Sequence, residues 1–365
     1  MCKEDDSEQV KTYKCAVPSG ELQTSKMPRV TNAENVRAED VNNNLPTTTL
    51  VEEITSINKI AAMEEEASTS QKAECERLNH VAELHIAASK MNEAKQLLDH
   101  ALMIADEWFV KEDWQRLIIL YNLTRVEYLL GSQRRARELA ERLLFLQQTM
   151  LGTNNIEVAD TFELLAMINQ VQRNFGWSEM QYQKALLIKE YLFGPEHYQI
   201  AMLMRKLASL HFDKQDYGRS KKLLGKALEM RKKMGNAQDD ELGSILHQLA
   251  SVFYAECNYT QSESYYNKAL RLRKKLFGNE SLAVAETLGG LGKLFCATKR
   301  FDKAERSFNR ALRNQVAVFG EHHREVGTTL ARLSGVHRAQ GRFQKANQLC
   351  DQAMASKAVP KERES

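Results

Sequence analysis

Residues 204–230 read MRKLASLHFDKQDYGRSKKLLGKALEM, and residues 246–272 read LHQLASVFYAECNYTQSESYYNKALRL. Shifted by 42 positions, Leu207–Ala208 falls on Leu249–Ala250, Tyr217 on Tyr259, Ser220 on Ser262 and Ala227 on Ala269. The same shift carries these columns along most of the chain. One column of small residues is Ala82, Thr124, Ala166, Ala208, Ala250, Gly292 and Ser334. A second is Ala94, Ala136, Ser178, Ser220, Ser262, Ala304 and Ala346, and a third is Ala101, Leu143, Ala185, Ala227, Ala269, Ala311 and Ala353. Apolar columns accompany them at Leu78, Leu120, Phe162, Met204, Leu246, Leu288 and Leu330. An aromatic column occupies Phe175, Tyr217, Tyr259, Phe301 and Phe343. A fixed period over seven units marks a repeat array, in which each unit buries its apolar face only against its neighbours.

Each unit divides into two helices. Leu78, Val81, Ala82 and His85 share one helical face, as do Ala94, Leu98, Ala101 and Leu102. Breakers separate the two, as in GSQ at 131–133, NFG at 174–176, QDYG at 215–218 and AQG at 339–341. Small residues belong where two helix backbones approach closely, with large ones beside them. Glycine closes the second helix at Gly152, Gly194, Gly235, Gly278 and Gly320. Proline costs about 3 kcal/mol inside a helix. Only one of the five prolines, Pro195, lies between 47 and 359. The fold expected is therefore all-α. Units are placed near 73–112, 113–154, 155–196, 197–238, 239–280, 281–322 and 323–357. Residues 1–46, poor in large apolar groups, read as a disordered tail. Residues 47–72 read as a short helix or linker whose apolar stripe Glu64–Glu66 interrupts, and 358–365 as a C-terminal tail.

These columns resemble the tetratricopeptide repeat (TPR) over 73–357. The 42-residue period and the unit ending Phe193-Gly194-Pro195-Glu196-His197 with Ile200-Ala201 resemble the kinesin-light-chain subtype. Phe277-Gly278 with Val284-Ala285, and Phe319-Gly320-Glu321-His322 with Val326, repeat that ending. The resemblance implies a right-handed α-solenoid of about seven helix-turn-helix units, with the first helices lining a concave groove. Two departures stand out. Long heptads before the repeats, which in light chains bind the kinesin heavy chain, are missing. Of the groove asparagines that light chains use to hold a peptide backbone, only Asn122 matches.

The formal charge of +3 over 365 residues predicts no nucleic-acid partner. No run of 18 apolar residues exists, so no membrane insertion is expected. The opening MCKEDDSEQV has no apolar signal segment, which predicts a cytoplasmic protein, cytoskeleton-associated if it accompanies a motor. Six scattered cysteines without a CxxC read as reduced thiols. No phosphate loop, HExxH or catalytic constellation is present, so neither an enzyme nor a cofactor is expected. Gly289, Gly290 and Gly292 read as close-packing positions, and His322–His323 as solvated linker.

The first-helix face opposite the Leu–small columns supplies the candidate peptide groove: Tyr121, Asn122, Arg125, Tyr128, Arg205, Lys206, Phe212, His247, Tyr254, Lys293, Arg332 and Arg338. Its charge is uneven. Glu76, Glu83, Asp160 and Glu163 stand against Arg125 in units one to three. Arg205, Lys206, Lys293, Arg332 and Arg338 stand against Glu286 in units four to seven. A groove whose C-terminal half prefers acidic segments follows. Three functions fit such an array: a scaffold that captures short, partly acidic motifs of protein partners; a light-chain-like cargo adaptor joining kinesin heavy chain or cargo; and a co-chaperone clamping a chaperone's C-terminal carboxylate. The clamp requires Lys/Arg, Asn, Asn and Lys/Arg at set first-helix positions, and Arg205, Ser209, Gln248, Glu286 and Gly290 do not provide them.

Overall fold

The computed structural model describes residues 47–88, 90–109, 113–235 and 240–357, all helical or in short turns. The tails read at 1–46 and 358–365 lie outside the described residues. The helices run α1 Thr47–Ala87, α2 Met91–Trp108, α3 Trp114–Leu130, α4 Gln133–Leu151, α5 Ile156–Val171, α6 Phe175–Phe193, α7 Tyr198–Asp213, α8 Tyr217–Lys233, α9 Asp240–Ala255, α10 Tyr259–Phe277, α11 Leu282–Ala297, α12 Phe301–Phe319, α13 Arg324–Ala339 and α14 Phe343–Lys357. The chain divides at residue 61 into two units, the first described only through the helical backbone of 47–61. The segment 47–72 is helical throughout, Glu64–Glu66 included; glutamate is a good helix former, so breaking an apolar stripe does not break the helix.

From α3 onward each odd-numbered helix packs on the even-numbered helix that follows, each even-numbered helix from α2 packs on the next odd one, and α3 meets α5, α7 meets α9 and α9 meets α11. This is an α-solenoid. The small columns lie at the pair contacts. Ser178, Ser220 and Ser262 each donate through Oγ to the carbonyl of Ala166, Ala208 and Ala250, at 2.8 Å. In the last unit the partners exchange types: Ser334 donates to the Ala346 carbonyl at 2.7 Å. A hydroxyl can reach a backbone carbonyl of another helix this way only where the backbones approach closely. Gly292 is the extreme of the column, since a Cβ there would stand 2.5 Å from the Phe308 ring.

Two turn columns keep the period. Within units, Gly131, Arg173, Gln215, Cys257, Lys299 and Gly341 all have φ between 57° and 84°. The amide of the residue that follows each of them returns to the helix's last turn, as Asp216 N to the His211 carbonyl and Arg300 N to the Phe295 carbonyl, both at 2.8 Å. Four of these six are not glycine, so the column carries no compositional mark. Between units, Gly152, Gly194, Gly278 and Gly320 combine φ near 80° with an extended ψ. That region is essentially closed to residues with a Cβ.

Of the two linker histidines expected as solvated surface, His322 is exposed and His323 departs from that expectation. His323 Nδ1 accepts from the Glu325 amide at 3.2 Å, capping α13, and its ring stacks on Phe319 at 4.1 Å. His197 does the same for α7, with Gln199 N at 3.4 Å and Phe193 at 4.5 Å. They occupy the column that Asp113, Asn155 and Ser281 use as caps for α3, α5 and α11.

Candidate functional site: clefts along the first-helix face

Several clefts open along the first helices, and three of them hold most of the candidate residues. The first, about 470 Å³, lies between α3, α5 and α7. Its walls are Tyr121, Tyr128, Leu129, Leu164, Met167 and Met202, and Arg125 lies over the Tyr121 ring at 5.6 Å. A second, about 340 Å³, shares Tyr128, Met167 and Lys206 with the first and extends it past Arg205 to Gln248 on α9. A third, about 440 Å³, is bounded by His247 and Ser251 of α9, Glu286, Gly289, Gly290 and Lys293 of α11, and Arg332 of α13.

The structure thus brings Tyr121, Arg125, Tyr128, Arg205 and Lys206 to the first two clefts, and His247, Lys293 and Arg332 to the third. Four candidates lie elsewhere. Asn122 is buried and donates to Asn79 Oδ1 at 3.0 Å and Glu83 Oε1 at 3.1 Å, tying α3 to α1. Phe212 and Tyr254 turn toward the aromatic that opens their own unit's second helix, Tyr217 at 5.7 Å and Tyr259 at 6.0 Å. Arg338 is exposed outside the clefts.

Sequence reasoning missed a column from the second helices. Gln147, Lys189, Arg231 and Arg273 follow the third small column by four residues and are all buried. Reaching between helices, the heads of Gln147, Lys189 and Arg273 meet the first-helix face. Gln147 accepts from Thr161 Oγ1 at 2.7 Å, and the equivalent Gln315 accepts from Thr329 at 2.7 Å. Lys189 pairs with Asp160 at 2.8 Å and with Glu163. Arg273 donates to Glu286 at 2.8 Å, to Thr287 Oγ1 at 2.9 Å and to the Ala283 carbonyl at 2.9 Å. The legible signal was a polar residue repeating at a core-facing position.

These contacts revise the charge pattern. Lys206 pairs with Glu163, a nearly buried carboxylate that Lys189 also holds, and Arg205 pairs with Glu241. Both cations are neutralised across a unit boundary. Glu286 is engaged by Arg273, with His247 Nε2 at 3.6 Å. Lys293 and Arg332 have no carboxylate within 4.0 Å among the described residues. The Lys293 ammonium is pushed below the usual lysine range, first by the desolvating cleft walls and then by Arg332. Burial pushes the His247 imidazole down to about 4, with Arg273 and Lys293 acting in the same direction against Glu286. It is therefore neutral at pH 7.

Among the described residues no group of three or more His, Cys, Asp and Glu side chains could hold a metal ion, and no helix is long and apolar enough to cross a membrane.

The sequence profile of the tetratricopeptide repeat matches residues 157–233, 241–315 and 295–357, more than half of the chain. This chain belongs to the tetratricopeptide-repeat family. No curated protein sequence matches it. Among solved structures, this TPR chain is similar to aspartyl phosphate phosphatase F from Bacillus subtilis, with a TM-score of 0.61, 11% identity, and 87% of this chain and 76% of that one covered. It is also similar to the apo form of RapI, with a TM-score of 0.58, 15% identity, and 78% and 97% covered. These two likenesses concern the fold alone. BtubC (BKLC) from P. vanneervenii aligns at 25% identity with a TM-score of 0.49, covering 66% of this chain and 95% of that one.

Proposed function

We propose that this TPR protein is a non-enzymatic scaffold that binds short, partly acidic peptide segments of protein partners along its first-helix face. The observation that carries this reading is that three clefts follow one another along the first helices from α3 to α13, the first two continuous through Tyr128, Met167 and Lys206. Their chemistry differs along the array. Aromatic, leucine and methionine surface between α3 and α7 suits apolar side chains; methionine in particular adapts to varied shapes. The Lys293–Arg332 pair between α11 and α13 suits an anionic one. An extended peptide would satisfy its backbone on polar groups such as Gln170, Gln248 and Ser209. Motor attachment and chaperone-tail clamping draw no support from these clefts.

The test uses the full chain and a degenerate peptide library carrying a photo-crosslinking residue. Crosslinks should concentrate on α3, α5, α7, α9, α11 and α13. Crosslinks confined to the outer faces of α4, α6, α8, α10 and α12 would refute the groove.

A further inference from the structure

Most cations at the clefts are engaged, Arg125 over the Tyr121 ring and the others by carboxylates. Lys189, Lys206, Arg205 and Arg273 each face a carboxylate in or beside a cleft, and Lys214, Lys221, Arg300 and Arg342 each bridge neighbouring units to one. Lys293 and Arg332 differ. They come from adjacent first helices, α11 and α13, face the same cleft, and lack an ion-pair partner within 4.0 Å among the described residues. Burial in the cleft lowers the Lys293 ammonium first and the like charge of Arg332 lowers it further, against the weaker pull of Glu286 and Glu325.

We propose that Lys293 and Arg332 form a receptor for a phosphoryl group carried on a serine or threonine side chain of the bound peptide. This rests on the peptide-groove reading and names the ligand class of its C-terminal cleft. The argument is first one of charge. A carboxylate ligand carries one negative charge and leaves one cation uncompensated. A phosphoryl group carries about −1.5 to −2 at pH 7. The carboxylates at the rim do not replace it: Glu286 is directed to Arg273 at 2.8 Å, and Glu325 is exposed at the start of α13. Geometry adds to charge. The Arg332 guanidinium is a planar fork suited to two phosphoryl oxygens, and the Lys293 ammonium is a point charge for the third.

The floor leaves room for a tetrahedral group. Gly289 presents no side chain, and the Arg332 Nη1 lies 3.9 Å from where a Cβ on it would be, while the Tyr266 ring fills the space beside Gly290. Beside it, Ser251 Oγ and Tyr266 OH share a hydrogen bond at 3.0 Å, and the Nδ1 of the mostly buried His247 has no protein partner. Small side chains at Ala283 and Ala285 keep the cleft open at about 440 Å³, enough for the modified residue and its neighbours.

The experiment reads Lys293 directly in the full chain. Acylation of Lys293 by acetic anhydride is followed by mass spectrometry with millimolar N-acetyl-O-phosphoserine N-methylamide, with N-acetyl-aspartate N-methylamide, or with neither. Phosphoserine derivative should slow Lys293 labelling about fivefold or more, and the aspartate derivative by less than about twofold. Arg332→Gln should remove the protection, and Arg332→Lys should restore part of it. Labelling that does not slow, that slows equally with aspartate, or that slows undiminished in Arg332→Gln overturns the proposal. Because the probe is a single residue, the result does not depend on a peptide following the groove. Selective protection together with library crosslinks outside the first helices would remove the groove reading and leave the phosphoryl receptor standing.

Discussion

The ring of Tyr266 on α10 fills the space that a side chain at Gly290 on α11 would occupy: a Cβ at Gly290 would stand 2.5 Å from Tyr266 Cε1. Tyr266 is almost fully buried and its hydroxyl is held by Ser251, so the ring has little freedom to withdraw. Gly290→Ala gains about 1 kcal/mol of helix propensity. Overpacking costs about 1–3 kcal/mol. The expected net effect is a loss of stability, read as a lower urea midpoint, whereas the same change at Gly225, with open space around it, should stabilise.

The pair contacts of the small columns should be equally intolerant. Ala269 is fully buried on α10, and Ala269→Leu should cost about 1–3 kcal/mol. Ser220→Ala removes a buried donor to the Ala208 carbonyl and should cost about 1 kcal/mol. Thermal unfolding by circular dichroism measures both. A parent-like midpoint for Ala269→Leu would mean that the third small column does not lie at a helix contact.

Glu163 is the buried centre of a network that joins α5, α6 and α7 through Lys189 and Lys206. Removing one partner of a buried pair leaves an uncompensated charge, at a cost of about 3–5 kcal/mol. Glu163→Ala should therefore unfold units three and four at markedly lower denaturant. Lys206→Glu should also destabilise, because it places a second carboxylate against Glu163. A binding defect in a Lys206 variant would consequently mix fold and function, which Lys293 and Arg332 avoid.

Much of the architecture could be read from residue columns because close packing restricts composition. Ala, Ser and Gly at the pair contacts and Gly at the unit ends are the residues that the geometry admits, and they recur every 42 positions. Other features leave no such mark. Arg173, Gln215, Cys257 and Lys299 adopt left-handed backbone without being glycine, because the helix-end hydrogen bonds hold them there. The groove was legible as a face but not in its charge. Arg205 meets Glu241 and Lys206 meets Glu163 only through the stacking of units, 36 and 43 residues apart. Counting charges along one helix face therefore overstated the positive potential at those two positions.

Acid should loosen the array before carboxylates titrate. The His247 imidazole is held near 4, below the ordinary value of about 6.5 in an unfolded chain, and burial lowers His211 and His337 as well. A depressed histidine stabilises the fold above the unfolded value, and that contribution is lost as pH falls through the window from 6.5 to 4. For His247 the loss between pH 7 and pH 5 amounts to about 2 kcal/mol. Urea midpoints should fall across that interval, and His247→Gln should reduce the fall. A His247→Gln variant with the parental pH dependence would contradict this assignment.

The central claim is that peptide recognition takes place on the first helices, and one comparison tests it most directly. Affinity of the full chain for a degenerate library of acidic peptides is measured by fluorescence anisotropy for three proteins: the parent, Lys293→Glu/Arg332→Glu, and Phe145→Ser on the exposed face of α4. Reversing two cleft charges should weaken binding tenfold or more, equal to about 1.4 kcal/mol. The difference should shrink as salt is raised, because exposed charges are screened over about 8 Å at physiological ionic strength. Phe145→Ser should bind as the parent does. A folded Lys293→Glu/Arg332→Glu protein with parental affinity, beside a Phe145→Ser protein that has lost it, would place recognition on the second helices and contradict the account.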